Sequence, residues 1–278
     1  MLVRIAEKII RGAGEILARI FMALRLSPNA ITLVGFGVTA LAGVFLGMGR
    51  LTTGGCVLIG ACILDSVDGL VARRTGRVTR FGAFFDSTID RYSDLALYAG
   101  LFVFAVREPA NREYWAAPVA VIAAAVAGAF LVSYTKSRGE NMVGEIRQGY
   151  WGRVERLIML IIGVCVWRAS AALWILAVFP HITVIHRILI VKAKLILARG
   201  SDAPQQGDCH RAERLWWAKL SDDGARVIFP LPLRILFIDF KRGSVPYDIA
   251  CAVFILSTAL IPIQWVAVLN RLVIKYIG

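Results

Sequence analysis

The chain has 278 residues, 58% of which are hydrophobic, and its mean hydropathy is +0.68. Soluble domains contain about 45–50% apolar residues, so this composition indicates a polytopic membrane protein and excludes an ordinary soluble one. The formal net charge of +13 suits basic loops at a membrane surface, anionic lipid headgroups or phosphorylated substrates. We expect no nucleic-acid partner, because the basic residues lie between apolar spans and not on a polar domain.

The first predicted element is an amphipathic helix over residues 1–26. Apolar residues recur there at helical spacing, with basic residues between them: Ile5, Ile9, Ile16, Ile20 and Leu24. This pattern is typical of a helix on a membrane surface, and it equally fits a helix packed on the protein's own cytosolic face. The segment has no central apolar block and no small-residue cleavage pattern, so we expect no cleavable signal peptide.

Six apolar stretches follow, each near the ~20 residues that cross the hydrocarbon core of a membrane. We therefore predict an all-α polytopic membrane protein with six transmembrane helices, at residues 30–49, 51–72, 82–106, 116–136, 155–171 and 172–193. The predicted domains are the amphipathic juxtamembrane helix at 1–26, the six-helix domain at 27–198 and a C-terminal extension at 199–278.

The five cysteines have no CxxC spacing, and four of them lie in apolar segments. We interpret them as small core residues and not as a disulfide framework or a zinc site. They are Cys56, Cys62, Cys165, Cys209 and Cys251.

Basic residues gather at one set of span ends, and the positive-inside rule places such ends in the cytoplasm. Residues 73–80 contain four arginines, whereas the opposite loops contain few basic residues. We therefore expect a multi-pass inner-membrane protein whose arginine-rich face, with the acidic cluster described below, is cytoplasmic.

The C-terminal extension contains one further apolar run, at 249–269. It is either a seventh span or a re-entrant or interfacial segment, because Pro262 and Gln264 weaken a continuous span. His210 is solitary, and the Trp216–Trp217 pair is interpreted as an interface anchor. We identify no catalytic or ligand-binding pattern in this region.

Four carboxylates lie between residues 65 and 90, amid apolar sequence. Asp65 and Asp68 are three residues apart, and Asp86 and Asp90 are four apart, so on helices each pair shares one face. Ionised acids at membrane depth are costly and need compensating charge. Carboxylates without His or Cys favour Mg²⁺ or Mn²⁺. An alternative to a metal site is a buried salt-bridge network between the acids and the nearby arginines (Arg73, Arg74, Arg77 and Arg80). Alternatives to an enzyme are a cation transporter and a membrane-anchored scaffold.

The full pattern is Asp-x2-Asp-Gly-x2-Ala-Arg-x8-Gly-x3-Asp-x3-Asp, formed by Asp65, Asp68, Gly69, Ala72, Arg73, Gly82, Asp86 and Asp90. It resembles the signature of the CDP-alcohol phosphotransferase family, whose six-helix membrane enzymes move a substituted phosphoryl group from a CDP-linked lipid to an alcohol and release CMP. The resemblance implies a di-metal centre with two Mg²⁺ or Mn²⁺ ions at Asp65, Asp68 and Asp86. It implies that Asp90 completes this cluster and acts as general base. It also implies a CDP site at Asn29, Thr32, Gly69, Arg73 and Thr79.

A second basic group lies at span ends on the side of the acids, within residues 136–156 and at Arg187. Positive-inside charge explains part of it. A pocket for the phosphate of an acceptor explains it as well, and a neutral alcohol would not need one. This favours a phosphorylated polyol as the acceptor.

The resemblance covers residues 25–195 and is greatest to phosphatidylinositol-phosphate synthases, in the segments FGAFFDSTIDRYSD, SYTKSRGE and RVERLI. It implies CDP-diacylglycerol as donor, inositol 1-phosphate as acceptor, and acceptor-phosphate contacts from Lys136, Arg153, Arg156 and Arg187. The alternative within the family is glycerol 3-phosphate. The resemblance further implies a homodimer, and small residues between Ala120 and Ala129 permit close helix contacts.

Overall fold

A computed structural model describes residues 2–107, 119–146, 148–201, 219–220, 227–230, 232, 237 and 244–277. These residues are mainly helical. The helices are α1 Leu2–Ala23, α2 Pro28–Gly47, α3 Leu51–Arg74, α4 Arg80–Arg107, α5 Val119–Val143, α6 Arg153–Cys165, α7 Ala169–Ser201, α8 Val245–Leu260 and α9 Ile263–Ile277. A short antiparallel pairing joins β1 (Lys219–Leu220) to β2 (Val227–Ile228). Cys209, His210 and Trp216–Trp217 lie outside the described residues.

The helices that carry the acidic pattern begin and end at local signals. Ser27 precedes α2 and accepts a 3.2 Å hydrogen bond from the Ala30 backbone, and Pro28 occupies the first helical position. Thr79 precedes α4, and its hydroxyl accepts a 2.9 Å hydrogen bond from the backbone N–H of Gly82. Between Arg74 and Arg80, a short turn with Gly76 at positive φ connects α3, which carries the first two acids, to α4, which carries the other two.

The core lies between α2, α3 and α4 on one side and α5, α6 and α7 on the other. At the crossing of α2 and α4, Gly43 and Gly100 face each other so closely that an added Cβ on either would collide with backbone of the opposite helix. This approach holds α4 against the bundle. On the other side, α5 packs along α7, and α6 packs on α3.

Among the described residues, four helical segments are long and apolar enough to cross a membrane: Pro28–Gly47, Leu51–Arg74, Val119–Val143 and Ala169–Ile196. A fifth crossing is added if α8 and α9, bent by 84° at their junction, are taken as one broken span. The chain is thus a helical membrane protein with four to five candidate spans. The predicted number of six is not reached by this criterion, because α4 contains many charged residues and α6 has 13 residues.

Several predicted boundaries differ from the observed ones: the fourth predicted span ended at residue 136 and the sixth at residue 193, whereas α5 extends to Val143 and α7 to Ser201. The fifth predicted span reached residue 171, but α6 ends at Cys165 and α7 begins at Ala169. The turn between them places Trp167 at φ 59°, a left-handed conformation that ends a helix. The apolar run at 249–269 is divided by the break before Ile263, at Pro262, whose ring and missing N–H disfavour a continuous helix.

In the part of α1 whose side chains the structure describes (residues 12 and 14–23), one face packs on α3. Ala18 is buried in a cluster with Val67 and Val71. Ile16 and Ile20, on the other side of α1, are exposed. Of the predicted core cysteines, Cys251 is buried and Cys56 is exposed, and the described cysteines (Cys56, Cys62, Cys165 and Cys251) are free thiols.

Candidate active site

Three of the four predicted acids lie together at the junction of α3 and α4. One carboxylate oxygen each from Asp65, Asp86 and Asp90 lies within 4.8 Å of the others. Asp86 and Asp90 share a face because they are one turn apart on α4, and α3 brings Asp65 against them. This arrangement is a donor set for a hard divalent cation.

Asp68, the fourth predicted acid, binds Thr32 of α2 and lies outside the three-acid cluster. Its Oδ2 accepts a 2.6 Å hydrogen bond from the hydroxyl of Thr32 on α2, and its Oδ1 accepts a 2.5 Å bond from the backbone N–H of Gly69. Asp68 is buried. These bonds fix its carboxylate between α2 and α3, beside the three-acid cluster.

A cleft of about 290 Å³ opens next to the acids. It is lined by every residue predicted for the CDP site: Asn29, Thr32, Gly69, Arg73 and Thr79. Asp68 and Asp86 also line it, so Asp86 belongs to both the cleft and the acid cluster.

The two glycines of the motif keep this cleft open. A Cβ on Gly82 would lie 3.0 Å from Thr79 Oγ1 and 3.6 Å from Asn29 Oδ1. A Cβ on Gly69 would lie 3.3 Å from the guanidinium of Arg73. Gly82 therefore leaves space in the cleft beside Thr79 and Asn29.

Arg153, predicted to bind an acceptor phosphate, reaches the acid cluster from the first position of α6. Its Nη1 lies 2.8 Å from Asp65 Oδ2 and 2.6 Å from Asp90 Oδ1. Its Nε lies 3.6 Å from Asp94 Oδ1. The salt-bridge alternative had named the arginines of residues 73–80, but the arginine that bridges two of the acids is Arg153.

Arg156 lies one turn further along α6 and is buried. Its Nη2 donates to Asp94 Oδ2 at 3.0 Å, and its Nη1 donates to the carbonyl of Trp151 at 3.2 Å. Asp94 therefore pairs with both arginines of α6.

The other two residues predicted for the acceptor pocket lie on α5 and α7. Lys136 is 3.9 Å from Glu140 on the exposed side of α5. Arg187 is buried, donates to the carbonyl of Val132 and lines a cavity of about 170 Å³ that also contains Arg138. The structure thus brings Arg153 and Arg156 together at Asp94, while Lys136 and Arg187 belong to a neighbouring region.

Sequence reasoning missed two features of this site. Asp94 continues the four-residue spacing of Asp86 and Asp90 on α4, and that spacing was the signal that could have identified it. Tyr247 in the C-terminal extension donates a 2.5 Å hydrogen bond to Glu155 on α6. A contact across 92 residues has no local sequence signal.

Comparison with known proteins places these residues in a family. The model of the CDP-alcohol phosphatidyltransferase family matches residues 25–196. The chain is 30% identical over 196 residues to an archaetidylinositol phosphate synthase of Pyrococcus horikoshii, covering 70% of this chain and 98% of that protein. It is 33% identical over 194 residues to a phosphatidylinositol phosphate synthase of Streptomyces avermitilis, covering 64% and 78% of the two chains.

Two crystal structures of the Mycobacterium tuberculosis phosphatidylinositol phosphate synthase are similar to the chain, each at 28% identity over 71% of it. One has CDP-DAG bound, a TM-score of 0.59 and full coverage of the mycobacterial chain. The other is a complex with manganese and citrate, with a TM-score of 0.58 and 96% coverage. These matches confirm an enzyme over the transporter and scaffold alternatives, and the chain belongs to the CDP-alcohol phosphatidyltransferase family.

Proposed function

We propose that the protein transfers a phosphatidyl group from CDP-diacylglycerol to inositol 1-phosphate and releases CMP. The observation that carries this proposal is the position of the cleft, which shares Asp86 with the acid cluster. A donor in the cleft would therefore place its pyrophosphate beside the acids. The relatives named as inositol phosphate synthases support the choice of acceptor.

The acid cluster fits the divalent metals of the family. Its donors are carboxylates, and Asp65 and Asp90 already hold one positive group, the guanidinium of Arg153. We propose Asp65, Asp68, Asp86 and Asp90 as the ligands of two Mg²⁺ or Mn²⁺ ions. Bound there, the ions would neutralise the pyrophosphate and the charge that develops on the departing CMP.

The protein's own residues would orient the donor and move one proton. We propose that Asn29, Thr32, Gly69, Arg73 and Thr79 hold the CDP moiety. The acceptor hydroxyl attacks the phosphorus that bears diacylglycerol, and its proton passes to a carboxylate oxygen of Asp90. A new phosphorus–oxygen bond forms, and the bond to CMP breaks with its electron pair on CMP.

The proposed acceptor site begins at α6. Arg153 and Arg156 converge on Asp94 next to the proposed base, Asp90. A phosphate on the acceptor can compete with these carboxylates for the planar guanidinium groups. We propose that Arg187 and Lys136 contribute from the adjacent α5–α7 region.

An assay with defined substrates tests this function. Purified protein in detergent is incubated with CDP-diacylglycerol, Mg²⁺ or Mn²⁺, and one acceptor at a time: inositol 1-phosphate, glycerol 3-phosphate, inositol or serine. We expect metal-dependent CMP release and a phosphatidylinositol phosphate product, identified by mass. A phosphatidylglycerophosphate product would show that the acceptor is glycerol 3-phosphate and not inositol 1-phosphate. Absence of CMP release with every acceptor would refute the proposed activity.

We further propose an inner-membrane location with the acid cluster at the cytoplasmic face, six spans within residues 27–198, and α1 (within residues 1–26) at the membrane surface. The exposed arginines at 73–80 and the exposed Ile16 and Ile20 support this orientation. We propose a homodimer from the family resemblance alone. The small residues of α5 do not add support, because Ala125 and Ala129 are buried within the protein and α5 packs on α7. Accessibility of Arg77→Cys to a membrane-impermeant thiol reagent tests the orientation: labelling is expected in inside-out vesicles, and labelling in intact cells would refute it.

A further inference from the structure

The C-terminal extension contacts the segment that carries Arg153 and Arg156. The family match ends at residue 196, so β2 and α8 lie beyond it. Both nevertheless bind residues 148–155, which lead into α6 and form its first turn. The contacts are polar as well as apolar, and they lie on both sides of Arg153.

The first contact joins α8 to α6. The hydroxyl of Tyr247 donates to Oε1 of Glu155 at 2.5 Å, and both residues are buried. Glu155 lies between Arg153 and Arg156 in the first turn of α6. Because hydrogen bonds to charged groups are the strong ones, this bond restrains the rotation of that turn.

The start of α6 has no side-chain cap of its own. Gly152 occupies the N-cap position and makes no side-chain hydrogen bond. A glutamate at the third helical position commonly bonds back to the N-cap backbone, and here one oxygen of that glutamate, Oε1 of Glu155, accepts from Tyr247 on α8. The Tyr247 hydrogen bond therefore adds a restraint from the extension to those that Arg153 and Arg156 make with the acids of α3 and α4.

An aromatic cluster supports the same turn. The ring centroid of Trp151 is 5.0 Å from that of Phe254 on α8, and Tyr150 is 5.2 Å from Tyr247. The carbonyl of Trp151 accepts the hydrogen bond from Arg156. Trp151 thus packs on α8 through its ring and binds Arg156 through its carbonyl, which links the aromatic cluster to this arginine.

A third contact lies just before this cluster. The side-chain amide of Gln148 donates to the carbonyl of Val227 at 2.8 Å and accepts from its backbone N–H at 3.0 Å. Gln148 is buried, and Val227 belongs to β2. The extension therefore holds the α5–α6 connection at Gln148, at the aromatic pair and at Glu155.

We propose that Tyr247 is a positioning residue, which fixes the first turn of α6 and thereby directs Arg153 and Arg156 at the phosphate of the acceptor. This inference rests on the proposed function, in which those arginines bind the acceptor. Tyr247 is not among the residues that line the donor cleft. Its loss should change acceptor use and leave donor use intact, since the cleft is built from α2, α3 and the start of α4.

The test is Tyr247→Phe, which keeps the ring and removes the hydroxyl. We expect the KM for inositol 1-phosphate to rise about tenfold, as for loss of one hydrogen bond to a charged group, while the KM for CDP-diacylglycerol stays within about twofold. Ser257→Ala is the matched control on α8, because the Ser257 hydroxyl donates to the carbonyl of Phe254 within the same helix. An unchanged acceptor KM, or equal rises for both substrates, would overturn the inference.

A double-mutant cycle identifies the partner of Tyr247. Glu155→Met removes the accepting carboxylate, and Tyr247→Phe in that background should raise the acceptor KM no further. Additive effects would show that Tyr247 acts through another group, against the proposal.

Hydrogen exchange separates this inference from the proposed function. Tyr247→Phe should accelerate amide exchange in residues 156–159, whose N–H groups bond to the carbonyls of residues 152–155, by about tenfold and leave α2 and α3 unchanged, whatever the acceptor is. Unchanged exchange would overturn the positioning role even in an active enzyme. If the wild type uses another phosphorylated acceptor, the KM comparison is made with that acceptor.

Discussion

Asp94 and Arg156 form a buried ion pair whose disruption should destabilise the protein strongly. Their side chains are 9% and 4% exposed, and Arg156 Nη2 lies 3.0 Å from Asp94 Oδ2. With an effective dielectric constant of about 20, charges 3.0 Å apart attract by about 5 kcal/mol. Desolvation offsets most of this attraction, but removing one partner leaves the other charge buried and costs about 3–5 kcal/mol.

Asp94→Ala should therefore lower the free energy of unfolding by about 3–5 kcal/mol. The measurement is a reversible SDS titration in mixed micelles, with far-ultraviolet circular dichroism as readout. The matched control is Glu15→Gln, which breaks the partly exposed pair of Glu15 with Arg74 and should cost less than about 1 kcal/mol. The combined change Asp94→Leu and Arg156→Met should recover most of the stability and none of the activity.

A loss below about 1 kcal/mol for Asp94→Ala, equal to that of the exposed control, would refute this reasoning. It would mean that water reaches Arg156 and that its guanidinium needs no carboxylate. In that case Arg156 would be available to a phosphate without cost. The measured value therefore decides whether Asp94 holds Arg156 in place or merely lies beside it.

Three further predictions concern the proposed chemistry. Asp90→Asn should lower kcat for CMP release by about 10²–10⁴-fold, because the proposed general base is lost. The Kd of CDP-diacylglycerol should change by less than about twofold. Lost donor binding with intact turnover would count against the base role. Arg153→Lys should raise the KM for inositol 1-phosphate about tenfold, because an ammonium group does not reproduce the planar fork, and an unaltered KM would exclude a phosphate contact. Thr32→Val removes the 2.6 Å hydrogen bond to Asp68 and should weaken donor binding about fivefold, as measured by titration calorimetry. The control is Thr39→Val, which loses a 2.9 Å hydrogen bond within α2. Equal losses of donor affinity in the two variants would contradict the role of Thr32.

The reaction class was readable from local sequence because its residues are close in the chain. Asp86 and Asp90 are one helical turn apart, so their common face follows from helix geometry alone. Gly69, Arg73 and Thr79 lie within the same stretch of sequence and line one cleft, and the CDP-binding role predicted for them stays a prediction. Gly82 belongs to the same motif, but only the fold shows that the space beside it faces the cleft.

The basic residues show where such reasoning ends. Positive charge at span ends indicated a phosphate site but did not say which side chains converge. Arg153 and Arg156 meet Asp94 because α6 packs on α3 beside α4, whereas Lys136 and Arg187 lie with α5 and α7. Helix rotation and crossing angle decide this, and neither is encoded in the spacing of charges.

The sequence by itself determined a helical membrane protein, its acidic motif and the family to which it belongs, because periodicity, hydropathy and a short-range spacing express these properties. The tertiary structure alone decided that Asp68 pairs with Thr32, that Arg153 bridges Asp65 and Asp90, and that the extension reaches α6 through Tyr247. Each of these contacts joins residues from 36 to 92 positions apart. Such contacts form only when several helices pack together, and the pattern of any single segment does not specify that packing.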